Sequence, residues 1–359
     1  MMLFFICCVL FQVIYQCILL CALIKKKNKI IAPLQQFPSV SIVICARNET
    51  KNLTKNLPFI FHQQYPDFEI ILVDDGSDLP IQLQHERLTI IKIDKNEKIG
   101  IGKKYAIQKG ISQAKNSLIV LTDADCKPLS NKWITSMVNG ISDTHKIVLG
   151  ISPYQKTNTI LNGIIEYETA QTAWQYCGFA LLGMPYMSVG RNVIYDAKLL
   201  KSKSWSTQEF AIASGDDDLA IQSLSTAGNT SVSLSLDSYT ISEAKQTLKD
   251  WYRQKIRHYE SGHLYKYAHQ LVLGAYLVSK FLMYFLCLII IISCSVFSLY
   301  FLGILIGYFI IITMFNFQLH KKFQLNHRWY FSAINDILYS IFTTVFGIIS
   351  FIKSTRDWK

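Results

Sequence analysis

Leu118-Ile119-Val120-Leu121-Thr122-Asp123-Ala124-Asp125 is the stretch of sequence that decides the fold class. Its apolar residues favour a buried strand, and the two carboxylates come at the strand's carboxyl end, where open α/β sheets place their ligands. Asp123 and Asp125 concentrate negative charge, which a hard divalent cation such as Mg²⁺ relieves. The stretch therefore predicts a parallel sheet with a metal-bound diphosphate site. The structural alternative is that one aspartate caps the helix containing Trp133.

Alternating strand and helix patterns surround this stretch. Strands are predicted at residues 40–45, 69–73, 89–93 and 117–121, and helices at about 50–64 and 103–113. Strands that alternate with helices at this spacing favour βαβ units in a mostly parallel sheet. Residues 159–179 also have a helical period in a strongly aromatic segment. This pattern is typical of a core or membrane-facing helix, and the wall of an acceptor groove is the alternative.

The N-terminal residues predict a membrane anchor. Residues 1–24 contain no charged side chain and are long enough for a span, which takes roughly 20 apolar residues. No basic residue precedes the run and no small-residue cleavage site is present, so we expect an anchor rather than a removed signal peptide. Lys25, Lys26, Lys27 and Lys29 follow at once, and this positive charge places the next segment in the cytoplasm.

The C-terminal third predicts further membrane helices. Residues 271–317 carry Lys280 as their only charge and fit two spans joined by a tight turn near 293–298. A third run, 337–352, is short for a span and could cross the membrane, re-enter it or lie at its interface. The predicted domains are an anchor at 1–24, a soluble domain at 38–268 and a membrane region of two or three helices at 271–353.

Charge and cysteine content restrict the partners and the compartment. The formal net charge is +11, and much of the excess lies beside apolar segments, which favours contact with anionic lipid headgroups. The soluble part has no basic run interleaved with aromatic residues, so no nucleic-acid partner is expected. The nine cysteines lack the paired spacing of zinc or redox sites, and reduced cysteines agree with a cytoplasmic domain.

Two further motifs follow predicted strands. Asp74 and Asp75 open a turn after the second strand, where a carboxylate can accept hydrogen bonds from a base or a ribose hydroxyl. An ordinary Asp-Gly turn is the alternative. Gly100-Ile101-Gly102-Lys103-Lys104 resembles a phosphate loop at a helix start, although it lacks the full Walker spacing.

Acidic and basic clusters come later in the chain. Asp216, Asp217 and Asp218 precede an amphipathic helix. Crowded carboxylates raise one another's pKa, which suits a general base, whereas a helix N-terminus that accommodates acids is the alternative. Gln254 and Arg257 belong to a basic helix, which by itself is typical of an interfacial helix facing lipid headgroups.

In this order the motifs resemble those of family-two glycosyltransferases, which are inverting enzymes with a GT-A fold. The resemblance covers about 40–267, with flanking spans as in synthases of the hyaluronan, chitin or cellulose type. It implies an α/β fold: a Rossmann-like, mostly parallel sheet in a cytoplasmic domain flanked by transmembrane helices. It also implies Mg²⁺ or Mn²⁺ on Asp125 with Asp123. The donor-binding residues that it implies are Ala46, Asn48, Glu49, Asp74, Asp75, Lys103, Asp123, Gln254 and Arg257.

The resemblance also implies a catalytic base. Asp217 corresponds to the second acid of the family's acidic pair, and aligning on the following leucine would choose Asp216 instead. Gln254-x-x-Arg257 is similar to the family's Gln-x-x-Arg-Trp, but His258 replaces the tryptophan, which helps synthases to hold the acceptor sugar. This replacement argues against processive polymer synthesis.

The sequence therefore predicts an integral protein of the cell inner membrane with a cytoplasmic catalytic domain. The expected activity is hexosyl or N-acetylhexosaminyl transfer, from a UDP- or GDP-linked sugar to a lipid-linked or glycan acceptor in cell-envelope glycan synthesis. Membrane lipids are the other expected partner. Two alternatives remain: a processive polysaccharide synthase, and a catalytically inactive glycosyltransferase-like membrane scaffold.

Overall fold

The computed structural model describes residues 1–26, 37–94, 96–293, 297–325 and 328–352. The chain divides into two compact units. The membrane unit comprises the described residues of 1–26, 156–178 and 245–352, and the sheet unit comprises those of 37–155 and 179–244. The predicted turn at 293–298 lies partly outside the described residues. Lys27, Lys29 and Lys353 lie wholly outside them.

Helices and strands alternate along the chain as follows. The strands are β1 (Val40–Ala46), β2 (Phe68–Asp74), β3 (Leu88–Lys92), β4 (Leu118–Asp123), β5 (Cys126–Pro128), β6 (Ile147–Leu149), β7 (Val193–Asp196), β8 (Thr230–Val232) and β9 (Thr240–Ser242). The helices are α1 (Met2–Lys25), α2 (Thr50–Phe61), α3 (Lys104–Gln113), α4 (Trp133–Val138), α5 (Ile160–Leu181), α6 (Ala197–Lys201), α7 (Thr207–Phe210), α8 (Asp218–Leu224), α9 (Leu248–Glu260), α10 (Tyr267–Ile292), α11 (Phe297–Phe323) and α12 (Ser332–Ile352).

The sheet unit is built on a seven-stranded sheet of order β3-β2-β1-β4-β7-β6-β8. β7 runs antiparallel to both of its neighbours, and the other strand pairs of this seven-stranded sheet are parallel. The mostly parallel sheet predicted from the sequence is therefore confirmed. In the parallel register Ala46 pairs with Asp74, and Cys45 pairs with Asp123. The acidic ends of β2 and β4 thus flank the end of β1 at one edge of the sheet.

Apolar side chains on both faces hold this sheet in place. On one face, β1 residues such as Ile42 and Ile44 pack in a buried cluster with Leu57 of α2 and Trp133 of α4. On the other face, α3 lies against β1 and β2. Gly110 permits this close approach, because a Cβ there would stand 2.5 Å from Val43 Cγ1. Close-packed interiors do not absorb such an overlap without shifting a neighbour.

In the membrane unit, the described residues include four helices long and apolar enough to cross a membrane. They are Met2–Lys25, Tyr267–Ile292, Leu299–Phe323 and Trp329–Ser350. The short run at 337–352 therefore belongs to a longer helix that meets the length of a span. The predicted helix at 159–179 is α5, and its Trp174 is fully buried against Tyr15 and Phe315. This burial fits the core-helix interpretation of that segment.

A buried polar network joins four helices of the membrane unit. Asp336 of α12 is fully buried, and its Oδ1 accepts hydrogen bonds from Lys280 Nζ at 2.5 Å and Tyr167 Oη at 2.9 Å. Its Oδ2 accepts hydrogen bonds from Tyr284 Oη at 2.7 Å and Tyr308 Oη at 2.9 Å. A charge in an apolar span is costly unless it is paired, and here each carboxylate oxygen of Asp336 accepts two hydrogen bonds.

Candidate active site

Two aspartates and a cysteine lie together at the carboxyl end of strand β4. One side-chain ligand atom from each of Asp123, Asp125 and Cys126 lies within 4.8 Å of the others. Asp125 is exposed, whereas Cys126 is buried and its Sγ–H donates to Asp125 Oδ1 at 3.3 Å. Burial and the neighbouring Asp125 raise the pKa of the Cys126 thiol well above its usual value. Lys132 takes the N-cap position of α4, so neither aspartate occupies it.

Lys103 connects this acidic turn to the second acidic cluster. Its Nζ lies 2.9 Å from Asp123 Oδ1 and 3.0 Å from Asp216 Oδ2. Burial alone would lower the pKa of Lys103, but Asp123, Asp216 and Asp217 raise it well above its usual value. The lysine therefore remains charged and brings together two motifs that are far apart in the sequence.

Asp217 lies beside this bridge at the start of α8. Its Oδ1 accepts the Asp218 N–H at 3.0 Å, and its Oδ2 accepts the Gly190 N–H at 2.6 Å. Burial, followed by the charge of Asp216, raises the pKa of Asp217 to about 6, although Lys103 opposes the rise. Asp217 therefore caps α8, which agrees with the alternative that these acids occupy a helix N-terminus. Its raised pKa also gives the carboxylate the basicity that a general base needs.

The two acids at the carboxyl end of β2 have different surroundings. Asp74 holds its own turn, because its carboxylate accepts the N–H groups of Ser77 at 3.1 Å and Ile81 at 3.3 Å. Asp75 is buried and forms an ion pair with Lys98 at 2.5 Å. Sequence reasoning missed Lys98, since no motif connects it to Asp75.

The residues after β1 border the same turn. The Asn48 N–H donates to Ser77 Oγ and its Nδ2 donates to Asp78 Oδ2, both at 2.9 Å. Ala46 is fully buried and accepts the Asp75 N–H at 2.8 Å. Glu49 instead accepts a hydrogen bond from Asn52 Nδ2 in the first turn of α2. The predicted nucleotide-contacting residues Ala46, Asn48, Asp74 and Asp75 thus form one connected edge.

Arg191 is a second residue that the sequence did not reveal. Its guanidinium lies 4.3 Å from the ring centroid of Tyr154, and Nη2 donates to Ser152 O at 2.8 Å. Burial alone would lower its pKa, but Tyr154, Cys126 and Asp125 raise it. A fixed positive charge therefore stands near Asp125, and only tertiary structure brings it there.

Gln254 and Arg257 lie on α9, which belongs to the membrane unit. They are three residues apart and so project from one side of that helix. Trp251 of the same helix is buried against Phe346 of α12, with ring centroids 5.4 Å apart. Lys255 forms an ion pair with Glu168 at 2.5 Å. The donor-binding role expected for Gln254 and Arg257 stays a prediction.

Comparison with known proteins identifies the family to which this chain belongs. Residues 118–319, more than half of the chain, match the family model described as glycosyl transferase family group 2. Residues 41–182 match the model described as glycosyl transferase family 2. The chain therefore belongs to the family-two glycosyltransferases, and the family predicted from the motifs is confirmed.

Individual relatives agree with this assignment. The 4,4'-diaponeurosporenoate glycosyltransferase of Staphylococcus haemolyticus (strain JCSC1435) is 27% identical over 120 residues, which cover 32% of each chain. The protein of the same name from Staphylococcus aureus (strain bovine RF122 / ET3-1) is 27% identical over 129 residues, which cover 35% of this chain and 34% of that one. The chain thus spans about a third of the length of the curated relatives that it matches.

A solved structure is similar over almost the whole chain. A mannosyltransferase from Pyrobaculum calidifontis, in complex with GDP-Man and Mn²⁺, has a TM-score of 0.55 at 14% identity. The alignment covers 92% of this chain and 94% of that one. At this identity the likeness shows the fold alone, and with the sheet topology it confirms the predicted GT-A class.

Proposed function

We propose that this protein is a membrane-bound inverting glycosyltransferase. It would move a sugar from a UDP- or GDP-linked donor to a lipid-linked or polysaccharide acceptor in cell-envelope glycan synthesis. The observation that carries the proposal is the Lys103 bridge, because it joins a candidate metal-binding acid, Asp123, to the acidic pair that includes the candidate base. The proposed catalytic domain is 38–268, in the cytoplasm, held at the cell inner membrane by 1–24 and 271–353.

The side chains after β4 fit a hard divalent cation. Asp123 and Asp125 offer carboxylate oxygens, whereas the Cys126 thiol keeps its proton toward Asp125 and so is a poor ligand. Oxygen donors of this kind favour Mg²⁺ or Mn²⁺, and the Pyrobaculum calidifontis mannosyltransferase was solved with Mn²⁺. When bound, the ion would stabilise the negative charge that develops on the leaving diphosphate.

Asp217 is the proposed base. Its carboxylate, with a pKa of about 6, is mostly ionised at neutral pH and would take the proton of an acceptor hydroxyl. The hydroxyl oxygen forms a bond to the anomeric carbon as the bond from that carbon to the diphosphate breaks. A single displacement from the opposite face inverts the anomeric configuration. Asp217 is preferred to Asp216, because Asp217 is half-buried and has a raised pKa, whereas Asp216 is buried and its carboxylate is paired with Lys103.

The edge formed by β1 and β2 is the proposed nucleotide pocket. The Asp74 turn is held rigidly by its own hydrogen bonds, so Asp75 and the backbone around Ala46 and Asn48 are pre-organised to contact the base and the ribose. Lys103 would add positive charge beside the diphosphate. For Gln254 and Arg257, donor binding is a proposal that rests on the family resemblance alone.

Transfer of a single sugar to a lipid-linked acceptor is the preferred form of the reaction. His258 stands where synthases have the acceptor-holding tryptophan. The two Staphylococcus relatives are named as 4,4'-diaponeurosporenoate glycosyltransferases, a name that mentions no polymer. Both observations favour one transfer over processive elongation.

Product analysis tests this proposal. Detergent-purified protein is incubated with Mn²⁺, radiolabelled UDP- and GDP-sugars and a membrane lipid extract, and the products are separated by size and by solvent partition. We expect one sugar on a lipid and inverted anomeric configuration by NMR. A long polymer would contradict transfer of a single sugar. A retained anomeric configuration would contradict the single displacement with inversion. Donor binding without turnover on any acceptor would favour the inactive scaffold.

A further inference from the structure

The segment Gly100–Lys104 packs onto the segment Phe210–Ser214, which leads into the acidic cluster. The Ile101 N–H donates to Phe210 O at 3.0 Å. Lys104 is fully buried, and its Nζ donates to Ile212 O at 2.8 Å and to Ser214 O. A buried ammonium is stable only when its N–H groups donate hydrogen bonds. These contacts therefore hold the two segments together.

Both glycines of the motif serve this packing. Gly102 has φ +83°, and a Cβ there would lie 2.5 Å from Ala213 O. Gly100 has φ +73°, and its Cβ would lie 2.7 Å from Phe210 O. A positive φ and an approach this close each favour glycine. The glycines of the motif predicted as a phosphate loop are therefore directed at another part of the protein.

The anchored segment determines where the candidate base lies. Ser214, whose carbonyl Lys104 binds, is followed by Gly215 at φ +81° and then by Asp216 and Asp217. Lys103 binds the Asp216 carboxylate from the neighbouring position. Two successive lysines thus hold this segment, one through its backbone and one through its side chain.

We propose that Lys104 is a positioning residue that sets the distance of Asp216 and Asp217 from the acids after β4. It acts through the carbonyls of Ile212 and Ser214 and does not touch the donor. The inference rests on the proposed function, in which Asp217 is the base. An angstrom of misplacement at a reacting group costs about a hundredfold in rate, so a contact of this kind matters to turnover more than to donor binding.

Lys104→Met tests the proposal, with Lys109→Met as the matched control on the same helix. Hydrogen exchange of residues 210–219 is measured by mass spectrometry, alongside the Kd for Mn²⁺-nucleotide and the steady-state rate. In Lys104→Met we expect exchange at 210–219 to rise about tenfold or more. We also expect kcat to fall roughly 10- to 100-fold while the donor KM and nucleotide Kd stay within about twofold. The control should match the parent protein.

Gly102→Ala provides a second route that keeps the lysine. The new Cβ would press on Ala213 O, so the same rise in exchange and the same loss of kcat at constant KM are expected. Unchanged exchange at 210–219 in both variants would overturn the proposal, as would a donor affinity that falls in step with kcat. If the parent protein transfers no sugar, the proposed function fails, and the exchange measurement alone decides whether Lys104 holds this segment.

Discussion

Lys103 and Asp216 are paired at 3.0 Å, and the same ammonium lies 2.9 Å from Asp123. One side chain therefore forms ion pairs with two acidic motifs, one at the end of β4 and one before α8. The pairing also links the candidate metal-binding and proton-accepting sides of the site electrostatically. The predictions on the pH dependence and on the acidic pair follow from this arrangement.

The first prediction concerns pH. Turnover should fall on the acid side with an apparent pKa of about 6, because Asp217 must be ionised to accept a proton. Lys103 lowers the pKa of Asp217, so Lys103→Gln should move this acid limb to higher pH, in addition to any loss of rate. The measurement is log kcat/KM against pH for both proteins. An acid limb that stays in place or moves to lower pH would contradict the electrostatic link.

The second prediction separates the two neighbouring acids. Asp217→Asn should abolish turnover and leave nucleotide binding intact, since an amide oxygen still accepts the Gly190 N–H but cannot take a proton. Asp216→Asn should keep part of the activity, because it weakens the Lys103 bridge without removing the base. Both variants are compared by turnover and by nucleotide Kd. An inactive Asp216→Asn beside an active Asp217→Asn would assign the base to Asp216.

The third prediction concerns the packing of α3 on the sheet. Gly110→Ala should lower the free energy of unfolding by about 1–3 kcal/mol, because the added Cβ overlaps Val43 and overpacking forces neighbours to shift. Gly228→Ala is the matched control, since a Cβ there meets nothing within 4 Å. Thermal melting of the purified proteins measures the difference. Equal melting temperatures would mean that α3 does not pack as closely as described.

The fourth prediction concerns the polar network of the membrane unit. Asp336→Leu removes the carboxylate that four side chains share and leaves the fully buried Lys280 ammonium without it, which should cost about 3–5 kcal/mol. The double variant Lys280→Met/Asp336→Leu should recover much of that loss, because no uncompensated charge remains. A double-mutant cycle of melting temperatures in detergent checks this. A double variant less stable than Asp336→Leu would show that the two residues do not act as a pair.

The local pattern of apolar residues is sufficient to predict the strands that carry the site. β1, β2 and β4 are six or seven residues long and mostly apolar, and the acids that close β2 and β4 follow from the sequence directly. β6 and β8 have only three residues each, so they lack a pattern that periodicity could detect. Their place in the sheet depends on tertiary contacts.

The sequence alone does not show which side chains pair with one another. The sequence predicts Lys103 as a donor contact, but the pairing of Lys103 with Asp216 depends on how α3 and the segment before α8 pack. The Gly100–Lys104 motif resembles a phosphate loop in sequence, and its spacing cannot reveal whether its backbone N–H groups face a ligand or another loop. No sequence pattern indicates a role for Arg191, because a lone arginine between glycine and asparagine belongs to no periodic pattern and no motif.

Nucleotide binding tests the central claim most directly. Isothermal titration of the detergent-purified protein with UDP and with GDP, with and without Mn²⁺, is compared with Asp125→Asn and with Asp143→Asn as an exposed acidic control. We predict Mn²⁺-dependent binding of one nucleotide, lost in Asp125→Asn and kept in Asp143→Asn. Failure of the folded parent protein to bind either nucleotide, or undiminished binding by Asp125→Asn, would contradict the proposed diphosphate site.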